Sequence, residues 1–288
     1  MKGITMQWAT RSAGRVGVGS AVALSLLLFI PVAGAAEVPA STAAIAGAPN
    51  VPAATAPRPN PGSKDSLNGA QSSLNWAGYA ATGATYSSVS GSWNQPAVSC
   101  PANKSQLAAF WVGLDGYSAS DPTVQQIGTD SDCVKGKGRQ GGGPSYYAWF
   151  EMYPAALVVL PPSSYPVFPG DAITASVSVY GTGYLLALVD AGRWSYATVQ
   201  RPSVRPQDVS AEWIAEAPTS CHGSTCKIVP LADFGSMVFT GAKANGLPIS
   251  SSANTRITMG NKSGKKVKAQ TSALVSAGSA FSVQWRHA

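Results

Sequence analysis

Residues 172–180 set Ile173, Ala175, Val177 and Val179 against Thr174, Ser176 and Ser178. A two-residue period means a strand with one face buried and one face wet. The same texture recurs from Asn75 to near the end of the sequence. Further strands are expected over 75–80, 86–93, 106–114, 123–127, 146–153, 184–189, 196–199, 211–215, 237–240, 257–259 and 281–285. Turn residues separate them, and no amphipathic helix of ten residues interrupts them. No period of 20–50 residues marks a propeller or solenoid. A chain of this kind is all-β, and roughly 210 residues in about a dozen strands fit one large antiparallel β-sandwich.

The residues before Asn75 read differently. Lys2, Arg11 and Arg15 precede an apolar core at 21–30, and Ala33-Gly34-Ala35 gives a small-x-small cleavage pattern. Residues 1–35 are therefore expected to be a secretory signal peptide, because the core falls short of the ~20 residues of a spanning helix. Residues 36–72 are rich in Ala and Pro and offer little to bury, so they read as a propeptide or a linker. The folded domain is expected over 73–288, with no membrane association once the signal is cleaved.

Export fits the cysteines. Cys100, Cys133, Cys221 and Cys226 are an even set, for which three connectivities exist. The pairing local in sequence, Cys100–Cys133 and Cys221–Cys226, is favoured here. His222 between two cysteines offers too few ligands for a metal site in an oxidising compartment. Neither a metal nor an organic cofactor is indicated.

Charge narrows the partners. Net charge is +7, and about +4 without the three leader cations. Lys262, Lys265, Lys266 and Lys268 lie close together without interleaved aromatics, which reads as a solvated hairpin rather than a nucleic-acid footprint. Charged residues are 11% of the chain, against about 25% in typical proteins. That scarcity suits low pH, where ionised carboxylates contribute little to stability.

Elimination narrows the chemistry further. The two histidines, His222 and His287, are poorly placed for a Ser-His-Asp or Cys-His site. The Gly-x-Ser-x-Gly and His-Glu-x-x-His motifs and the paired Asp-Thr/Ser-Gly signature are missing. A few acids remain. Asp115, Glu151, Glu212 and Asp233 stand inside or at the end of apolar runs, where a carboxylate needs a partner or a task. In 210–216, Glu212, Ile214 and Glu216 share one strand face, and Trp213 and Ala215 take the other.

Six segments, in order, resemble the glutamic peptidases (eqolisins), secreted acid endopeptidases. They are Asn75-Trp76-Ala77-Gly78, Phe110-Trp111-Val112-Gly113-Leu114-Asp115-Gly116, Gln126-Ile127-Gly128, Ala148-Trp149-Phe150-Glu151-Met152-Tyr153-Pro154, Ala211-Glu212-Trp213-Ile214-Ala215-Glu216 and Ala232-Asp233-Phe234-Gly235. The resemblance implies a sandwich of two large, curved sheets. It also implies a catalytic pair of Glu212 and Gln126. Gln125 competes for the register, but the Gln-x-Gly match selects Gln126, and Gln125 falls on the opposite face. Trp76, Asp115, Trp149, Glu151 and Tyr153 are implied as substrate-cleft residues. Tyr147 and Met152 depart from the family pattern, at positions where it has an acid and an aromatic.

The expected function is hydrolysis of polypeptides in acid by a monomer. Glu212 would act on water, and Gln126 would stabilise the oxyanion. Both side chains should then meet in one groove. Two other readings use the same residues: a glycoside hydrolase pairing Glu212 with Glu151 or Asp115, and a carbohydrate-binding sandwich with Trp and Tyr platforms.

Overall fold

The computed structural model describes residues 54–55, 70–118, 120–136, 142–222 and 225–288. The expected signal peptide, and nearly all of the expected propeptide or linker, lie outside the described residues. In chain order the strands are β1 (Ala54–Thr55), β2 (Gln71–Ser73), β3 (Trp76–Thr82), β4 (Ser88–Asn94), β5 (Ala109–Leu114) and β6 (Val124–Val134). They continue with β7 (Gly143–Tyr153), β8 (Val158–Val159), β9 (Ala172–Tyr180), β10 (Gly183–Asp190), β11 (Trp194–Gln200), β12 (Ala211–Glu216) and β13 (Thr219–His222). The last are β14 (Thr225–Ile228), β15 (Ser236–Ala244), β16 (Leu247–Pro248), β17 (Ala253–Gly260), β18 (Val267–Thr271) and β19 (Phe281–Trp285).

The strands form an antiparallel sandwich, with one parallel pairing, between β2 and β17. One layer runs β11-β10-β9-β4-β15, and the other runs β19-β18-β17-β3-β12-β5-β6-β7-β8. β15 belongs to both. Its first half, Ser236–Phe239, pairs with β19, and its second half pairs with β4 from Thr240 on, with a register shift between Thr240 and Lys243. A bulge of this kind bends a strand, which lets one strand pass from layer to layer.

The alternation read in β9 is what fills the space between layers. Ile173, Ala175 and Val177 from β9 and Leu186 and Leu188 from β10 meet Val112, Ile127 and Phe150 of the larger sheet. Trp213 ties the layers together, donating its indole N–H to the Ser90 carbonyl at 2.7 Å. Cys100–Cys133 and Cys221–Cys226 are both disulfides. The second clamps the hairpin of β13 and β14, onto which β1 adds a third strand.

The larger sheet also carries a second apolar cluster on its other face. Trp76, Trp111, Trp149, Tyr147, Ile214 and Ile257 belong to it. Both faces of β3, β5 and β12 are therefore buried, which explains why their sequences read as nearly continuous apolar runs.

Candidate active site

Directly opposed residues of antiparallel strands project from the same face. One transverse row of the larger sheet reads Ala80, Glu212, Gly113, Gln126 and Glu151, from β3, β12, β5, β6 and β7. The next row is Gly78, Ile214, Trp111, Gly128 and Trp149, and the one after it is Trp76, Glu216, Ala109, Asp130 and Tyr147. Val124 opposite Tyr153 lies on the other side of the Glu212 row. The sheet thus gathers Glu212, Gln126, Trp76, Trp149, Glu151 and Tyr153 on one face. Asp115 sits at the end of β5 beside it. Gln125 opposes Leu114 and Met152 on the other face, with its amide buried and unpartnered among the described residues.

Gly113 makes the central row possible. Two strand spacings put the Glu212 and Gln126 backbones about 9.5 Å apart, with only Gly113 between them. A Cβ at Gly113 would lie 3.2 Å from the Gln126 Cβ and 3.0 Å from the Trp111 ring. Gly128 does the same one row on: a Cβ there would lie 2.2 Å from the Phe110 carbonyl oxygen and 2.6 Å from the Trp111 Cβ. Glycine at these positions leaves room between the side chains that flank it.

Electrostatics single out Glu212. It is fully buried, and neither carboxylate oxygen has a hydrogen-bond partner among the described residues. Burial holds its pKa well above the ordinary value. The Ser210 hydroxyl, close by but outside hydrogen-bond geometry, opposes this, and Asp115 and Asp121 add to it. An unsatisfied buried carboxyl is costly, so its presence calls for a chemical reason. Gln126 is equally buried. Its Nε2 donates to Glu151 Oε2 at 2.6 Å, and its Oε1 has no partner among the described residues.

The other acids are engaged. Asp115, in a left-handed backbone conformation (φ 69°), accepts the backbone N–H groups of Gln207, Asp208 and Val209 at 3.0, 2.9 and 2.8 Å. It therefore fastens the segment that leads into β12. Burial raises its pKa to about 6 despite those bonds. Asp233 bridges to Ser99, and its Oδ1 accepts the Gly235 N–H.

Three acids further along the face escaped the sequence reading as a group. Glu216 accepts from the Trp111 indole at 2.9 Å and from Asn75 at 3.3 Å. Asp130 accepts from the Trp149 indole at 2.5 Å. The Tyr147 hydroxyl lies 2.9 Å from both Asp130 Oδ2 and Asp132 Oδ2. A phenol has one proton, so it donates to one carboxylate and accepts from the other, which must then be protonated. Burial accordingly raises Asp130 to about 7 and Asp132 well above its ordinary value. The signal available was Thr129-Asp130-Ser131-Asp132: β6 runs on through it to Val134, well past the expected end at Ile127.

The expected open groove is not what the structure holds. Glu212, Gln126 and Glu151 are each 0% exposed. Tyr117, Tyr153 and Leu157 are the partly buried side chains packed against this face, and Tyr117 also hydrogen-bonds Gln71 of β2. The row is thus enclosed on this face.

A model of the peptidase A4 family matches residues 74–285. Aspergillopepsin-2 of Aspergillus niger is 30% identical over 203 residues, which span 62% of this chain and 67% of that protein. Scytalidopepsin B of Scytalidium lignicola is 29% identical over 170 residues, spanning 57% and 60%. Among solved structures, scytalido-glutamic peptidase with a peptide-based transition-state analogue superposes with a TM-score of 0.59 at 23% identity, covering 74% of this chain and 98% of that one. SCP-B, an eqolisin-family peptidase in complex with the tripeptide Ala-Ile-His, gives 0.56 at 22% identity over the same shares. At these identities the structural likenesses bear on the fold alone.

Proposed function

Since the chain belongs to the peptidase A4 family and is on that ground an endopeptidase of the glutamic type, we propose that it is an exported acid enzyme that cleaves polypeptides with Glu212 and Gln126. The observation that carries this reading is the row Glu212–Gly113–Gln126: a buried carboxyl without a hydrogen bond and an amide with a free oxygen among the described residues, on one face, with a glycine between them.

Glu212 takes a proton from the attacking water and returns it to the leaving amine. Gln126 donates its remaining amide hydrogen to the developing oxyanion. The Glu151 carboxylate, holding the other amide hydrogen, fixes which way that amide points. An amide donor keeps its hydrogens at every acidic pH, which a carboxyl donor does not. The desolvation that raises Glu212 weakens when substrate and water enter, so its working pKa falls toward the ordinary carboxylate range. Trp76, Trp149 and Tyr153 share the face of the row and would offer aromatic surface to an extended peptide once that face is opened. The two disulfides fit an oxidising compartment outside the cytoplasm.

The test is digestion of a denatured protein at roughly pH 2–5, a window set by the ordinary Glu pKa. Glu212→Gln and Gln126→Ala are expected to abolish cleavage while circular dichroism stays native. Undiminished proteolysis by Glu212→Ala would reject the assignment.

A further inference from the structure

A cavity of about 1000 Å³ opens at the end of the larger sheet where β3 and β5 begin. Four lysines from separate parts of the chain line it: Lys104 from the loop before β5, Lys227 from β14, Lys262 from the turn after β17, and Lys268 from β18. No Asp or Glu side chain lines it; Ala288, the last residue of the sequence, does, and it makes no ion pair with any of the four among the described residues. Among the described residues the ion pairs are those of Arg193 with Asp171 and Asp190, so none of the four lysines has an acidic partner.

Two features make this more than scattered surface charge. Lys268 is largely buried, and the one acceptor its ammonium finds is the Leu74 carbonyl at 3.3 Å. Burial lowers its pKa, the mark of a cation that lacks a counter-charge. The walls are also braced. Asn261 accepts the Ser263 hydroxyl and the N–H groups of Lys265 and Lys266, which sets the turn carrying Lys262. The Cys221–Cys226 disulfide clamps the hairpin carrying Lys227. Leu74, Ile228 and Val229 supply apolar surface between the ammonium groups.

We propose that this cavity is an exosite for phosphoryl groups carried by polypeptide substrates. The choice of anion follows from the working pH and so rests on the function proposed above. Below about pH 4 free carboxylates lose their charge, whereas a phosphoryl group, with its second pKa near 6, still carries one negative charge. Lysines stay charged throughout. The choice of polypeptide follows from position. Leu74 lies one bend before Trp76, and Trp76 opposes Glu216, four residues or about 14 Å along β12 from Glu212. Leu74 adds two residues to those four, so about six extended residues separate the cavity wall from Glu212.

The test uses the full chain carrying Glu212→Ala, so that peptide survives the measurement. Calorimetric titration at pH 4 and low salt compares a phosphoserine peptide with its serine counterpart, with inorganic phosphate as competitor. The phosphopeptide is expected to bind at least ~10-fold more tightly, because charge-assisted bonds are about twice as strong as neutral ones. High salt and inorganic phosphate should each erode that preference, and Lys104→Gln/Lys227→Gln should remove it. Equal binding of the two peptides, or a preference that survives the double substitution, would overturn the exosite. Inorganic phosphate bound without any peptide preference would overturn it as well. Chromatography of the recovered peptide shows separately whether Glu212→Ala has silenced hydrolysis, so failure of the dyad is told apart from failure of the cavity.

Discussion

Glu212 costs the fold energy, and that cost is measurable. A fully buried carboxyl, without a partner among the described residues, destabilises the native state most where it is ionised. Glu212→Gln keeps the shape and removes the charge. It is expected to raise the melting temperature at pH 7 while lowering kcat/KM by at least ~10³-fold, and scanning calorimetry beside a peptidase assay checks both. A variant less stable than the parent at pH 7 would mean that Glu212 has a structural partner. In the proposed mechanism Glu151 acts at one remove, through the Gln126 amide that it holds. Glu151→Gln should lower kcat by on the order of 10²-fold, the cost of a misplaced group, with KM little changed. Much of this face was legible residue by residue. The alternation of 211–216 puts Glu212 and Glu216 together, and the Gln-x-Gly match sets the register of Gln126. The Asp130–Tyr147–Asp132 cluster was not legible, because its members gain meaning only when β6 is laid beside β7. Tyr147, read as a departure from the family pattern, supplies the hydroxyl that both aspartates need.

At the scale of the element, the site depends on what β5 leaves out. Gly113→Ala would place a methyl against Gln126 and Trp111. It should therefore depress activity far more than its ~1–3 kcal/mol stability cost would explain, which thermal melts and kinetics on one preparation would show. The two disulfides differ in the same countable way. Cys100–Cys133 closes 33 residues and Cys221–Cys226 closes 5. Loop entropy assigns the first about 4 kcal/mol and the second about 2 kcal/mol, and chemical denaturation of the two double-serine variants would rank them. Strand ends were the weakest part of the sequence reading. β9 and β19 came out as expected, because one wet face gives a clean alternation. β6 outran its expected end by seven residues, because its buried aspartates look like turn residues until their partners across the sheet are known.

Taken whole, the molecule should be stabilised by acid. Asp115 and Asp130 have folded-state pKa values of about 6 and 7, above the ordinary 3.8. Below 3.8 both folded and unfolded chains hold these protons, and the stability is fully present. As pH rises the unfolded chain gives them up first, so stability falls until the folded values are passed. The melting temperature is expected to drop by on the order of 10 °C between pH 4 and pH 7, equivalent to a few kcal/mol for a domain of this size. A flat or rising profile would show that these carboxyls are not protonated in the native state. β15 carries a last consequence. Because one strand is stitched into both layers, neither layer can peel away without tearing a seam in the other. Amide protons on β4 and β19, on opposite sides of that seam, should thus exchange with solvent at matching rates, as parts of a garment that unravels from one thread.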